Sequence, residues 1–236
     1  MDVLGEFLGT MILITLGCGV VAGVLLNKSK AQNAGWVAVT AGWAFAVMAG
    51  VYTARAVGAP GYINPVGPLA AVISGKLEFP RALVFAGAEV AGAFAGAVVV
   101  WLHYLPHWRE TPDPVAKLAV FCTSPAIRDS PANLLSEAIA TFVLMFVGTA
   151  VVEKGIGGAL AAPLAGALVW GIGLSLGATT GYAINPARDL GPRIAHAVLP
   201  IAGKGETDWD YSWIPIIGPL LGGAAGAVLA NAVIVT

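Results

Sequence analysis

Six long apolar runs, separated by polar or Pro- and Gly-rich segments, dominate the chain: residues 4–26, 34–53, 82–105, 134–152, 157–177 and 213–235. Each comes close to the ~20 residues that cross a hydrocarbon core of ~30 Å. With no water there to satisfy backbone N–H and C=O groups, such runs are expected to be helices. Two shorter apolar runs interrupt this pattern. One follows Asn64-Pro65 and reaches about Ile73; the other follows Asn185-Pro186 and reaches about Leu199. At 1.5 Å per residue, about ten residues cross half a bilayer, so each run predicts a half-helix. Asn is a favoured N-cap and Pro a favoured first helical residue. The irregular backbone ahead of each Asn is tolerated at membrane depth only where it is buried in protein or lines a wet cavity.

Composition supports the same class. Of 236 residues, 58% are hydrophobic and 11% charged, against about 25% charged in soluble domains. The reading is an all-α membrane protein of six transmembrane helices plus two half-helices, forming a single membrane domain over residues 1–236. The chain opens Met1-Asp2 with Glu6 close behind. It therefore lacks the basic start of a signal peptide, and the first run is read as a spanning helix. A net charge of −1 suggests no nucleic-acid partner. Basic residues divide almost evenly between the two sets of loops, with Lys154 among them, so charge does not orient the chain. Cys18 in the first run and Cys122 in a loop make neither a disulfide framework nor a metal site, and read as a small core residue and a loop thiol. His103 and His107 have helical ligand spacing, but Pro106 lies between them and no third ligand is evident.

The two halves resemble one another. Glu6 opens the first run with Thr10 four residues on; Glu137 opens the fourth with Thr141 four residues on. The glutamates lie 131 residues apart and the asparagines of the two Asn-Pro stretches 121 apart. Three spans per half is an odd number, so the second half enters from the opposite face. This predicts an inverted repeat, a common plan for membrane transport proteins, with repeats of about 1–110 and 130–236. The Pro-rich segment 103–131 would join them as a surface crossover. The small-residue pairs Gly92–Gly96 and Gly222–Gly226 are read as close helix packing.

Inversion would bring the two half-helices in from opposite faces, with their N-termini meeting near the midplane. Each N-terminus carries roughly half a positive elementary charge, so two facing one pore repel cations, protons included. The Asn64 and Asn185 amides can donate hydrogen bonds to a passing oxygen. No nucleophile–base pair or metal-ligand cluster stands out within the spans, so no catalytic residue, metal or cofactor is expected.

The stretches Asn64-Pro65-Val66 and Asn185-Pro186-Ala187-Arg188-Asp189 resemble the paired Asn-Pro-Ala boxes of the aquaporin, or major intrinsic protein, family. The resemblance covers nearly the whole chain. It implies a plasma-membrane channel with both termini cytoplasmic, assembled as a homotetramer with one pore per subunit. Asp189, Arg193 and Pro215-Ile216 look like the glycerol-facilitator branch, and Gly191–Ala197 resembles its Gram-positive bacterial members. By the same resemblance the selectivity filter comprises Trp43, Gly173, Tyr182 and Arg188. Trp43 and Tyr182, which would otherwise read as interfacial aromatics, would form an apolar corner for a polyol's C–H side. Arg188 would bind hydroxyls, and Gly173 would leave room for carbon. Glu6 and Glu137 would anchor the loops ahead of the half-helices.

Three positions depart from the pattern. Val66 replaces Ala and would add bulk where the half-helices touch. Pro68 cannot donate to the Asn64 carbonyl, which predicts a distorted first turn and a carbonyl turned to the pore or to water. Tyr182 adds a hydroxyl at the filter, either narrowing it or offering a further hydrogen-bond partner. Glu89, inside the third span, reads either as a neutral structural acid or as part of a subunit contact. The expected function is a passive channel for glycerol and similar small neutral solutes, with some water. The alternatives are a water-selective channel, a facilitator of lactic acid or dihydroxyacetone, and a coupled secondary transporter.

Overall fold

The computed structural model describes residues 1–153 and 158–235. The described residues are helical, with no strand among them. In chain order the α-helices are α1 (Asp2–Leu25), α2 (Gly35–Ala56), α3 (Val66–Ile73), α4 (Phe79–His103), α5 (Leu105–Glu110), α6 (Pro114–Phe121), α7 (Ser130–Glu153), α8 (Ala161–Leu176), α9 (Pro186–Val198) and α10 (Ile214–Ala230). Among the described residues, six helical segments are long and apolar enough to span a membrane: α1, α2, α4, α7, α8 with its preceding 3-10 turn, and α10 with its flanking turns. The two half-helices are α3 and α9, with 8 and 13 residues.

Several helices begin earlier than their apolar runs. The third span starts at Phe79, with Pro80 in its first turn, and the fourth at Ser130, because capping and proline chemistry start a helix before hydrophobicity does. Residues 154–157, which include Lys154 and the expected start of the fifth span, lie outside the described residues. The last span gives way to a π-helical turn at Asn231–Val235.

The long helices pack as two similar sets. α1 lies against α2 and α4, while α7 lies against α10 and α8. Each half-helix docks on the other set: α9 on α4, and α3 mainly on α10. Glycines permit the closest contacts. A Cβ on Gly92 would strike the Phe7 carbonyl of α1, and one on Gly96 would lie 2.5 Å from the Met11 carbonyl. On α10, Gly222 meets the Ala138 carbonyl of α7, and a Cβ on Gly226 would stand 2.7 Å from that of Phe142. The two small-residue pairs thus bring backbone against backbone in both sets.

The segment 103–131 corrects the expectation of a surface crossover. It contains α5 and α6, and α6 packs between α1 and α9. Asp113 caps α6 through Val115 N–H at 2.8 Å. Trp108 stacks on Phe121 and donates from Nε1 to the Trp101 carbonyl at 2.9 Å. Trp108, Lys117 and Phe121 are all buried. Cys122, expected as a loop thiol, is the buried C-cap of α6, and Cys18 lies below it with Sγ 3.7 Å from the Phe121 carbonyl. His107 turns Nδ1 to the Asn27 carbonyl at 2.9 Å.

Candidate functional site

The two Asn-Pro stretches come together. Asn185 is the N-cap of α9, its Oδ1 accepting from Ala187 N–H at 3.0 Å and Arg188 N–H at 3.1 Å, with Pro186 as the first helical residue. Asn64 Oδ1 accepts from Val66 N–H at 3.0 Å. Each side-chain amide then reaches across: Asn64 donates to the Ile184 carbonyl at 2.9 Å and Asn185 to the Ile63 carbonyl at 2.8 Å. An amide has two donor hydrogens, so each asparagine keeps one, and both side chains line the same cavity.

The first turn after Asn64 is distorted, as the position of Pro68 predicts. The Asn64 carbonyl accepts Gly67 N–H at 2.8 Å, and Leu69 N–H reaches the Pro65 carbonyl only at 3.3 Å. The first turn is tightened into a 3-10 step, in which Gly67 N–H takes the place of the donor that Pro68 lacks. Val66 also differs from expectation: it is fully buried, its Cγ1 seated on Gly223 of α10, and does not line the cavity. Gly223→Ala places a methyl on that Cγ1 and is expected to cost ~1–3 kcal/mol by overpacking. Val66→Ala in the same chain should recover most of the loss. Melting the single and double variants in detergent checks this, and strictly additive losses would place the two side chains out of contact.

The stretches ahead of the half-helices are held by the two acids. Glu6 Oε1 accepts the N–H groups of Gly61 at 2.7 Å and Tyr62 at 3.0 Å, and its Oε2 that of Ile63 at 2.7 Å. Glu137 Oε1 accepts Thr180 Oγ1–H at 2.6 Å and Ala183 N–H at 3.0 Å, and its Oε2 Ile184 N–H at 2.9 Å. Thr10 and Thr141 each donate to the carbonyl of the glutamate four residues back, at 2.7 Å. These bonds enforce unusual backbone. Ile63 has φ +47°, Tyr182 +38° and Ile184 +44°, a region that β-branched and bulky residues rarely adopt. Glu89 is 0% exposed, beside Glu6 and the Asn64 backbone, so the subunit-contact reading of this residue is excluded.

Two cavities meet at a constriction. One, of about 230 Å³, is lined by both asparagines; the other, of about 460 Å³, by Trp36, Cys122 and Thr123 among others. Three side chains line both: Trp43, Tyr182 and Arg188. Arg188 is 7% exposed, lies 4.0 Å over the Trp43 ring, and donates from Nη1 to the Phe121 carbonyl at 3.1 Å. Gly173 lines neither cavity. The space over it holds Tyr182 instead: a Cβ there would stand 2.9 Å from the ring Cζ and 3.1 Å from the hydroxyl. Trp36 holds this arrangement, donating to the Gly173 carbonyl at 3.1 Å and meeting Tyr182 edge-on at 5.7 Å.

The Tyr182 hydroxyl is buried without a hydrogen-bond partner among the described residues, so it is turned away from a solute in the slot. A buried unmade hydrogen bond costs ~1–3 kcal/mol. Tyr182→Phe is therefore expected to melt at the same temperature or higher. A drop of several degrees would show that the hydroxyl is bonded.

Sequence reasoning missed the scaffold behind Arg188. Asp189 Oδ2 accepts Thr123 N–H at 2.8 Å and Thr123 Oγ1–H at 2.7 Å, and its Oδ1 accepts Arg193 Nε–H at 2.7 Å. Arg193 further donates to the carbonyls of Thr123 at 3.0 Å, Thr207 at 2.8 Å and Asp208 at 2.9 Å. Lys204 closes the end of α9, its Nζ donating to the carbonyls of His196, Ala197 and Leu199, each at 2.7 Å; burial pushes its pKa down. Only the acid–base spacing of Asp189 and Arg193 was visible in the sequence.

The family model described as Major intrinsic protein matches residues 1–230. The chain is 56% identical over 231 residues to glycerol uptake facilitator protein 3 of Lactiplantibacillus plantarum, covering 98% of this chain and 96% of the relative. It is 53% identical to a probable glycerol uptake facilitator protein of Thermotoga maritima, covering 97% of each chain. Among solved structures, the aquaglyceroporin from Plasmodium falciparum is similar at a TM-score of 0.86 and 26% identity, covering 99% of this chain and 96% of that one.

Proposed function

This chain belongs to the major intrinsic protein family, and from that premise we propose that it is a passive transmembrane channel for glycerol and similar small neutral solutes, with some water. It is a channel and not an enzyme. The observation that carries the reading is the junction of two cavities at Trp43, Tyr182 and Arg188, with both asparagines in the chamber beyond. A polyol in this slot lays its C–H side on the Trp43 and Tyr182 rings. Its hydroxyls take the free donors of Arg188, then one amide hydrogen from Asn64 and one from Asn185. Gly173 serves the slot indirectly, by giving Tyr182 its seat. The half-helices α3 and α9 aim their N-termini at this chamber, and the boxes Asn64-Pro65-Val66 and Asn185-Pro186-Ala187 set that orientation. A cation there would lose its water facing positive helix ends, so ions and protons are excluded. Glu6 and Glu137 hold the two carbonyl-bearing stretches, and Asp189 holds the back of the filter.

The domain plan is two inverted repeats, about 1–110 and 130–236, supported by the pairs Glu6/Glu137, Thr10/Thr141, Asn64/Asn185 and Gly92–Gly96/Gly222–Gly226. The chain is multi-pass in the cell membrane, with both termini cytoplasmic, and assembles as a homotetramer. Dihydroxyacetone and protonated lactic acid fit the same slot chemistry.

One observation favours a second reading. Tyr182 fills the space over Gly173, which narrows the slot toward a water-selective pore. Passivity is tested in proteoliposomes without any ion gradient. Glycerol uptake should rise linearly with concentration and be indifferent to a protonophore. Saturating uptake that the protonophore abolishes would replace the channel with a coupled transporter.

A further inference from the structure

Arg188 is a buried cation without a carboxylate. Among the described residues its neighbour Asp189 is committed to Arg193 and Thr123, and Arg188 forms no ion pair. Its Nη1 is used by the Phe121 carbonyl, while Nε and Nη2 take no hydrogen-bond partner. That remaining edge is the fork that a carboxylate engages with two parallel bonds. The guanidinium lines the larger cavity, whose lining includes the polar Asn33, Thr123 and Ser124 and no other charged side chain. Of the loop charges nearby, Lys28 is paired with Glu110 and Arg128 with Asp208. The cavity measures about 460 Å³, against the ~30 Å³ share of one liquid water, so a small acid fits with several waters.

We propose that this mouth cavity is a docking site for small monocarboxylate anions, which bind the Nε/Nη2 edge of Arg188 and obstruct the pathway without traversing it. Past the constriction the chamber walls are mainly apolar, including Leu13, Val47, Leu144 and Leu168, and no second cation lines them. An anion moving on would leave the one full positive charge on its path and most of its water together, and the partial charges at the α3 and α9 N-termini offset only part of the cost of burying it. The same molecule as a neutral amide carries no such penalty and is not held.

The inference rests on the pathway proposed above but not on glycerol as its cargo. The test is therefore read on water and glycerol flux in parallel. Proteoliposomes are equilibrated at neutral pH with propionate, propionamide or chloride on both sides before the osmotic step. Both fluxes should fall together with propionate, by up to about twofold at half-saturation near 10 mM, the weak end of ligand affinity. Propionamide should have no effect and chloride a smaller one. Asn33→Asp, which sets a competing carboxylate in the lining, should weaken the block severalfold relative to its own flux without anion. Saturation-transfer NMR of propionate on the solubilised protein reads docking whatever the cargo proves to be. Flux indifferent to propionate, chloride acting as strongly as propionate, or an unchanged block in Asn33→Asp would overturn the site. A chain that passes water but not glycerol would sink the glycerol reading and leave this one decidable.

Discussion

Glu137→Ala is expected to prevent recovery of a folded channel. The carboxylate receives Thr180 Oγ1–H and the backbone N–H groups of Ala183 and Ile184, all in a site without water access. Each buried donor left unmade costs ~1–3 kcal/mol, so the loss over three donors is on the order of 3–9 kcal/mol. Whole domains are stable by only ~5–15 kcal/mol. The stretch would also be free to leave its native path, since Tyr182 and Ile184 hold unfavourable φ of +38° and +44° beside these bonds. Glu6→Ala removes the equivalent bonds to Gly61, Tyr62 and Ile63 and should behave alike. Glu137→Gln keeps one acceptor oxygen and should fall between. Fluorescence-detected size exclusion with a thermal ramp ranks the three. An alanine variant that melts like the parent would mean that the strained stretch is held by something else.

Arg193→Leu carries the next largest effect. The Arg193–Asp189 pair is buried on both sides, 0% and 1% exposed, at 2.7 Å. Removing one partner of a buried pair typically costs ~3–5 kcal/mol, and here it also strands the carbonyls of Thr123, Thr207 and Asp208. The consequence for transport is specific. Thr123 lies two residues from Phe121, whose carbonyl holds Arg188. Once the Thr123 tie to Asp189 loosens, the guanidinium loses its fixed place over Trp43. In the fraction that folds, the glycerol-to-water permeability ratio should shift, and Thr123→Val should move it in the same direction with a smaller stability loss. A lower melting temperature with the ratio unchanged would confine this cluster to stability.

The sequence carries the spans, the half-helices and the paired asparagines plainly, because each is a local pattern: an apolar run of fixed length, or an N-cap followed by proline. Glu6 and Glu137 are legible as acids that need partners, while their anchoring of the loops is what the family resemblance implies. Segment 103–131 was not. Its helices have 6 and 8 residues, too short for a clear period, and what buries Trp108, Lys117 and Phe121 is tertiary packing. Thr123 carries no local signal, since its role exists only once α6 meets α9. The Val66 departure is compensated by Gly223, a partner 157 residues away and unremarkable in its own helix. Gly173 suggests open space in the sequence; the Tyr182 ring fills that space, because backbone conformation at Tyr182 decides where the ring points.

The central claim is that the slot between Trp43, Tyr182 and Arg188 admits a three-carbon polyol and little larger. Stopped-flow light scattering of proteoliposomes tests it most directly, with osmotic steps of glycerol, a six-carbon polyol and sucrose. The account predicts fast re-swelling after the glycerol step and shrinkage without recovery after the other two. Fast water efflux with glycerol excluded would contradict it, and would mean that Tyr182 has closed the slot to carbon and left a water pore.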